Sequence, residues 1–324
     1  MHSSGEDLKK RLRFMAMAGL IVACAEAAAQ AAQQTMLERM YGPYAPLVRE
    51  LAHSMLQLAV IGLVALPFQW FLPGVRREAK YRSYEFWLDI VYWFQGLWLA
   101  LISFFVAVDW LIVGISGGKG DWFPVLATLP FWLQVLLAVW GFDLAVYWRH
   151  RWEHRIAALW SFHAVHHTAE KVDVLTTTRL HPFELALAML FNAAIVQLGL
   201  SAAATGLGFA IYMYYNYYIH TNVRIRFDGF MKYVLVTPFM HQWHHAKDEA
   251  AMGRNLGVVF AWNDWLFGTA HHPQHWPAEF GLSAPPGERV GQSYLRQLLY
   301  PAQMAIARAR AWHAARSAQM GVRH

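Results

Sequence analysis

Long apolar segments separated by short polar loops dominate the chain. A helix needs about 20 mostly apolar residues to cross the hydrocarbon core of a bilayer. Four segments meet this length, at 14–32, 51–73, 86–115 and 123–148. A further apolar stretch, 183–220, is long enough for two helices, and Gly206 and Gly208 lie near a plausible break. The pattern predicts an all-α, polytopic membrane bundle of about four spans plus a hairpin that enters the membrane and returns.

The composition favours the same class of protein. Hydrophobic residues make up 57% of the chain and charged residues only 15%, whereas a soluble domain has about 25% charged residues. The 16 Trp and 14 Tyr residues are types that favour membrane interfaces. Much of the net charge of +6 flanks the apolar segments, so we expect anionic lipid headgroups as its partners and no nucleic acid.

The loop charges predict an orientation in the membrane. The N-terminal segment and the 74–85 loop each carry four Lys or Arg residues, which places both in the cytoplasm. Four spans then put the chain from Arg149 onward on the cytoplasmic side, and the 183–220 hairpin returns to that side. We therefore predict a multi-pass protein of the inner or plasma membrane with a histidine-rich, two-metal cap in the cytoplasm. This topology requires 14–32, an Ala-rich segment containing Glu26, to cross the membrane.

Eight histidines lie in three short clusters that follow, or lie between, the apolar segments: His150 and His154; His163, His166 and His167; His241, His244 and His245. Imidazole is a good ligand for iron, zinc and copper, and helical neighbours three or four apart share one face. The single cysteine, Cys24, excludes a multi-thiolate site, so His, Asp or Glu must hold any metal. Adjacent histidines within the two triplets point in different directions, which suits a pair of metal ions.

Two further histidines are candidates for the same centre. His220 ends the 183–220 stretch, and we favour it as a ninth ligand. His181 is either a ligand or a hydrogen-bond partner of Glu184.

Acidic residues near the clusters are candidate partners of the ligands. A metal-bound histidine usually donates its second ring N–H to a carboxylate or carbonyl. Asp143 precedes His150 by seven residues, on the same helical face, and is either such a partner or a capping or ion-paired residue. Asp264 is a weaker candidate, and Glu153 is expected to face away and pair with an arginine.

These residues resemble the fatty acid hydroxylase/sterol desaturase superfamily of integral membrane oxidoreductases. The resemblance covers about 143–269 and includes Asp143-x-x-x-Tyr147-Trp148-x-His150, the three histidine clusters, Arg179-x-His181-Pro182-x-Glu184, Asn255-x-Gly257 and Trp265-Leu-Phe267-Gly268-Thr269. The gap of nine positions between His154 and His163 is typical of this superfamily. Asn216 stands where some members have a further ligand histidine, so the coordination number is one lower or is completed by water.

The resemblance implies a non-haem di-iron centre, with two Fe ions and O2 as co-substrate, that hydroxylates or desaturates a sterol, fatty acyl chain or related lipid. We see no Gly-rich dinucleotide fingerprint and no cysteine set for an iron–sulfur cluster. A separate electron donor is therefore expected, a ferredoxin or cytochrome b5-like protein with its reductase. The alternatives are a zinc-dependent membrane hydrolase, whose usual His-Glu-x-x-His motif is absent from 150–154, and a non-enzymatic haem- or metal-binding membrane protein.

The sequence divides into three predicted regions: an N-terminal transmembrane region, 1–122; a fatty acid hydroxylase-like catalytic domain, 123–280; and a C-terminal basic amphipathic tail, 281–324. Within the tail, 281–290 is a predicted loop. The segment 291–318 is a predicted helix that either contacts the membrane surface or packs on the catalytic domain.

Overall fold

The part of the chain that the structure describes is helical. The structure, a computed structural model, describes residues 83–96, 122–282, 290 and 293–321. Helix α1 comprises 84–96. It is followed by α2 (Phe131–Arg155), α3 (Ala157–His163), α4 (Pro182–Val196), α5 (Ala202–Ile219), α6 (Pro238–His244), α7 (Trp262–Leu266) and α8 (Tyr294–Gly321). Short 3-10 helices lie at Pro124–Thr128, His166–Thr168, Val174–Thr178, Met231–Tyr233 and Glu249–Ala251.

The β-type pairing among the described residues consists of two isolated bridges, Leu235 with Phe260 and Ala246 with Phe280. The predicted all-α class is thus confirmed for the described residues.

One helix in the described ranges, α2, is long and apolar enough to cross a membrane, and α4 is a shorter apolar helix. The predicted spans 14–32 and 51–73 lie outside the described residues, as does most of 86–115. The predicted fourth span, 123–148, is shifted along the chain. Pro124 starts a 3-10 helix, and α2 begins only after Pro130 and continues to Arg155. The four-span topology stays a prediction.

The stretch 183–220 forms two helices, as predicted, but the break is not at the predicted glycines, and the entry of this pair into the membrane stays a prediction. Helix α4 ends at Val196 and α5 begins at Ala202. Between them, Gly199 has a φ of +94°, a conformation that glycine adopts without steric cost. The Ser201 hydroxyl then caps α5 by accepting a hydrogen bond from the Ala204 N–H.

Gly208 lies inside α5 because it is needed for helix packing. A Cβ atom at Gly208 would lie 2.5 Å from the Cβ of Ala138 on α2, which is closer than van der Waals contact allows. The absence of a side chain at Gly208 therefore permits the close approach of α5 to α2.

The core is formed where α2, α5, α6 and the segment following α6 meet. Phe142, Phe239 and Met240 are almost completely buried in this contact region. The opposite side of α2 carries Trp132, Leu136 and Trp140, four residues apart, with exposed fractions of 68%, 46% and 42%. One helix thus has a face in the protein core and an apolar face that no described residue covers.

The first turns of the C-terminal helix pack on the rest of the structure. Gln297 is buried and accepts a hydrogen bond from the hydroxyl of Tyr92 on α1, at 2.9 Å. Tyr300 is buried beside Ala164. Beyond these turns, Ile306 and Trp312 are exposed. Packing on the domain therefore accounts for the start of α8.

Candidate metal centre

Nine buried or half-buried histidines converge into two neighbouring groups. We call them the five-histidine group (His150, His154, His163, His167 and His244) and the four-histidine group (His166, His220, His241 and His245). Within each group, the candidate ligand nitrogens lie within 4.8 Å of one another. The structure thus brings all nine of the favoured histidines together.

The two histidine triplets are divided between the groups. His163 and His167 belong to the five-histidine group, whereas His166 belongs to the other. His241 and His245 belong to the four-histidine group, whereas His244 belongs to the five-histidine group. Adjacent residues on a helix point about 100° apart, so the middle histidine of each triplet reaches across to the neighbouring group. Because each triplet contributes to both groups, the two groups lie side by side.

The spacing of the ring nitrogens fits metal coordination. In the five-histidine group, the Nε2 atom of His163 lies 2.9 Å from Nε2 of His150 and 3.1 Å from Nε2 of His167. In the four-histidine group, the Nε2–Nε2 distances are 2.8 Å from His241 to His220 and 3.1 Å from His245 to His241. Two imidazole nitrogens bound about 2.1 Å from one ion at right angles would be about 3.0 Å apart.

Hydrogen bonds at Nδ1 assign the ring tautomers. His150 Nδ1 lies 3.0 Å from the Leu256 carbonyl oxygen, and His163 Nδ1 lies 2.8 Å from Oε1 of Glu184. A carbonyl oxygen and an ionised carboxylate can only accept, so with Glu184 ionised each Nδ1 donates and each Nε2 presents a lone pair. Two lone pairs facing each other at 2.9 Å repel, and a cation between them would make the contact favourable.

The rings of His244 and His220 also donate through Nδ1 and leave Nε2 as the candidate ligand atom. His244 Nδ1 donates to the carbonyl oxygen of Arg254 at 2.8 Å, and the buried Nε2 atom of His244 has no hydrogen-bond partner. His220 Nδ1 donates to the carbonyl oxygen of Asn216 at 2.7 Å. An unpartnered, buried acceptor nitrogen is costly, and a metal ion at this position would satisfy it.

Five of the rings outside α2 are held in their neutral, metal-binding form. Burial lowers the pKa of His244 to about 4. Burial, reinforced by neighbouring histidines, lowers the pKa values of His163, His167, His241 and His245 well below their usual range. These rings are therefore unprotonated at neutral pH.

Buried charges adjoin the five-histidine group. An Nη1 atom of Arg149 donates to Oε1 of Glu153 at 2.6 Å and lies 3.6 Å from Oε1 of Glu184. Glu184 also accepts from His163. Glu153 thus pairs with an arginine, as expected, but it does not face away from the ligands, because its Oε2 atom lies 3.8 Å from Nδ1 of His163. Two carboxyl groups thus share one guanidinium beside His163.

Asp143 does not contact His150. Its carboxylate accepts hydrogen bonds from the backbone N–H groups of Val258, Val259 and Phe260. Residues seven apart on a helix are about 10.5 Å apart along its axis, so a side chain as short as Asp cannot span that distance. The carbonyl of Leu256 takes the expected place of the carboxylate at His150.

His181 lies in neither group, and its ring does not bond to Glu184. Its Nδ1 accepts from the Phe183 N–H at the start of α4, and its Nε2 donates to the Leu298 carbonyl on α8. The interpretation of His181 as a ligand is therefore wrong. Pro182 begins α4, which makes His181 the capping residue and directs Glu184 toward His163.

The sequence interpretation missed the backbone carbonyls of Arg254, Leu256 and Asn216, because a carbonyl has no residue signature. It also did not connect Glu184 with His163. The signal for that pairing is an acidic residue in the first turn of an apolar helix.

The described residues form an α-helical structure with two buried all-histidine groups, each of which could hold a metal ion. Residues 135–269 match the family model described as "Fatty acid hydroxylase". Through this region the chain is similar to the fatty acid hydroxylase superfamily. The match lies within the predicted catalytic domain, whose boundaries at 123 and 280 remain predictions.

Similar proteins include ornithine lipid hydroxylase OlsE of Rhizobium tropici, which is 30% identical over 178 residues, 53% of this chain and 51% of that protein. Alkylglycerol monooxygenase of Danio rerio is 28% identical over 158 residues, 48% of this chain and 34% of that protein. The Homo sapiens alkylglycerol monooxygenase is 28% identical over 146 residues, 45% of this chain and 32% of that protein. The chain thus spans about half or less of the length of these relatives. No solved structure matches it significantly.

Proposed function

We propose that this protein is a membrane-bound, O2-dependent lipid oxidoreductase with a histidine-ligated di-iron centre. The observation that carries the proposal is the pair of histidine groups, whose Nε2 atoms converge at coordination distances inside a buried site. Similarity to the fatty acid hydroxylase superfamily supports the reaction type.

The ligand number favours iron over zinc. Zinc is usually bound by four ligands in a tetrahedron, whereas the five-histidine group offers five nitrogens. The five-histidine and four-histidine groups would each hold one iron ion. When bound, the iron pair would bind O2 and supply an oxidant strong enough for an unactivated C–H bond.

The chain's own residues have three tasks. The acceptors at Nδ1 hold the rings of His150, His163 and His244 with Nε2 directed inward. Burial keeps the rings of His163, His167, His241, His244 and His245 neutral and excludes water from the site. The shared Arg149, Glu153 and Glu184 charges hold His163 from behind.

Hydroxylation consumes one substrate C–H bond, O2, two electrons and two protons, and produces a C–OH group and one water. Desaturation breaks two C–H bonds on adjacent carbons and, with the same O2, electrons and protons, produces a C=C bond and two waters. The two electrons come from a separate donor, a ferredoxin or cytochrome b5-like protein with its reductase.

The substrate is a lipid, of the sterol, fatty acyl or a related class. The relatives are named for an ornithine lipid and for alkylglycerols. The exposed apolar stripe of Trp132, Leu136 and Trp140 on α2 supports a membrane location. The histidine centre follows this apolar segment along α2, so a lipid would reach it from the bilayer on the cytoplasmic side.

Metal content and oxygen labelling test the proposal. We expect about two iron ions per chain in the full-length purified protein, and one 18O atom from 18O2 in a hydroxylated lipid. His166→Ala and His244→Ala should each abolish activity and lower the iron content, whereas the exposed His313→Ala should change neither. Zinc with lipid hydrolysis, a haem absorption band, or an active His166→Ala variant with unchanged iron would overturn the di-iron assignment.

A further inference from the structure

The backbone segment 254–260 links two buried carboxylates to two histidines. We propose that Asp264, assisted by Asp143, is a positioning residue that orients His150 and His244 through this segment and thereby controls metal binding in the five-histidine group. This inference rests on the proposed metal centre.

The two carboxylates accept hydrogen bonds from five consecutive backbone N–H groups. Asp264 accepts from Leu256 at 2.7 Å and from Gly257 at 2.9 Å. Asp143 accepts from the next three residues, at 2.8, 2.9 and 2.9 Å. Both carboxylates are completely buried. A charge placed in an apolar interior is costly unless it is saturated by hydrogen bonds, so the segment and the carboxylates stabilise each other.

The same segment presents its carbonyls to the metal centre. The carbonyl of Leu256 and the N–H of Gly257 belong to one planar trans peptide, in which they point in opposite directions. Asp264 holds the N–H side of this peptide, and His150 Nδ1 donates to its carbonyl side. The orientation of His150 is therefore transmitted through one rigid plane from Asp264.

His244 is connected to Asp264 by one more step. His244 Nδ1 donates to the carbonyl of Arg254, and the N–H of the same peptide, that of Asn255, donates to the Thr269 carbonyl at 2.9 Å. The Thr269 hydroxyl donates to Asp264 at 2.7 Å. One carboxylate thus anchors the peptides behind two rings of the same group.

Local conformation leaves this segment little freedom. Asn255 has a φ of +53°, and its side chain donates to the carbonyls of Met240 on α6 and His271. A Cβ atom on Gly257 would lie 3.0 Å from Oδ2 of Asp264. A side chain at 257 would therefore push the carboxylate away from the peptide that it holds.

The test is metal titration of the full-length protein, because metal binding is measured independently of activity. Asp264→Asn keeps the shape of the side chain but turns an NH2 group toward a backbone N–H. Cobalt(II) is titrated into the metal-free protein and followed by its absorption spectrum. We expect wild type to bind two ions, and Asp264→Asn to bind the ion of the five-histidine group about 10- to 100-fold more weakly with the other ion retained.

Gly257→Ala should weaken binding of the same ion without changing any carboxylate. Asp143→Asn should weaken it less, because Asp143 holds peptides farther from the Leu256 carbonyl. Gln134→Met is the matched control. Gln134 is buried on the same helix and makes three hydrogen bonds, but lies about 24 Å along α2 from His150. This variant should lower the thermal stability and bind both ions as wild type does.

The outcomes separate the two proposals. If wild type binds no ion, the proposed metal centre is wrong. If wild type binds two ions and Asp264→Asn binds both with unchanged affinity and spectrum, the positioning role is wrong and the metal centre stands. If Asp264→Asn and Gln134→Met both lose the two ions to the same extent, the positioning role is also wrong, because general destabilisation would then explain the effect.

Discussion

His150 and His163 face each other through their Nε2 atoms, 2.9 Å apart, although they lie on different helices and 13 positions apart in the chain. Each ring is held from behind by an acceptor, the Leu256 carbonyl for His150 and the Glu184 carboxylate for His163. The contact is unfavourable between two neutral imidazoles and favourable around a cation. The surrounding protein therefore maintains a geometry that bound metal would stabilise.

Replacing Glu184 should weaken metal binding at His163. Glu184→Gln still offers an oxygen to Nδ1, but it loses the negative charge that makes the ring a stronger donor to the metal. We expect metal affinity to fall about 10- to 100-fold, measured by competition with a chelator. Glu279→Gln, at an exposed carboxylate beside Lys247, should leave the affinity unchanged. An unchanged affinity in Glu184→Gln would show that this carboxylate does not support the ligand.

Adding a methyl group at the α2–α5 contact should destabilise the fold. Gly208→Ala would place its Cβ atom 2.5 Å from that of Ala138, and we expect a loss of about 1–3 kcal/mol in the free energy of unfolding. The midpoint of thermal unfolding in detergent measures this loss. Adding Ala138→Gly removes this contact and leaves an approach of 3.1 Å to the Val139 backbone nitrogen. The double variant, which like wild type has one glycine at this contact, should therefore recover most of the lost stability. A single variant as stable as wild type would contradict the close helix approach.

Cysteine labelling tests whether α2 crosses the membrane. The chain has one cysteine, Cys24, so Cys24→Ser provides a background without thiols. Val125→Cys precedes α2 and Ala157→Cys follows it, and both positions are exposed. In intact cells, an impermeant maleimide should label position 125, and position 157 only after permeabilisation. Labelling of both from one side would exclude a span, and the reverse pattern would exclude a cytoplasmic histidine centre.

Metal removal should make the protein sensitive to acid. Burial holds the pKa of His244 at about 4 in the folded chain, whereas an unfolded histidine titrates near 6.5. The unfolded state therefore binds more protons between these values, and the free energy of unfolding falls as pH decreases through this range, by up to about 1.4 kcal/mol per pH unit for each such histidine. Thermal unfolding of chelator-treated protein from pH 7.5 to 5 measures the effect.

The metal-loaded protein should retain its stability to lower pH, because the metal competes with protons for the same lone pairs. Equal unfolding temperatures of the metal-free protein at pH 7.5 and 5 would contradict the neutral, buried state of these rings.

Local patterns were sufficient for several features of the site. Helical spacing identified the histidines that share a face, and hydrophobicity predicted the helices that carry them. The residue types restricted the ligands to imidazoles and carboxylates, and Glu153 was correctly expected to pair with an arginine. All of these depend on neighbours within one or two helical turns, which the sequence contains directly.

Long-range contacts decided the rest. The division of the histidines into groups of five and four depends on how α2, α3, α5 and α6 meet, so no spacing rule could assign His166 and His244 to opposite groups. In the structure, Asp143 binds a backbone segment over 110 residues away in sequence, and His181 caps α4. The sequence alone determined which chemistry is available, because side-chain type and helical period are local. Only the tertiary structure decided which groups share a metal position and which hold the others in place, because packing selects those partners.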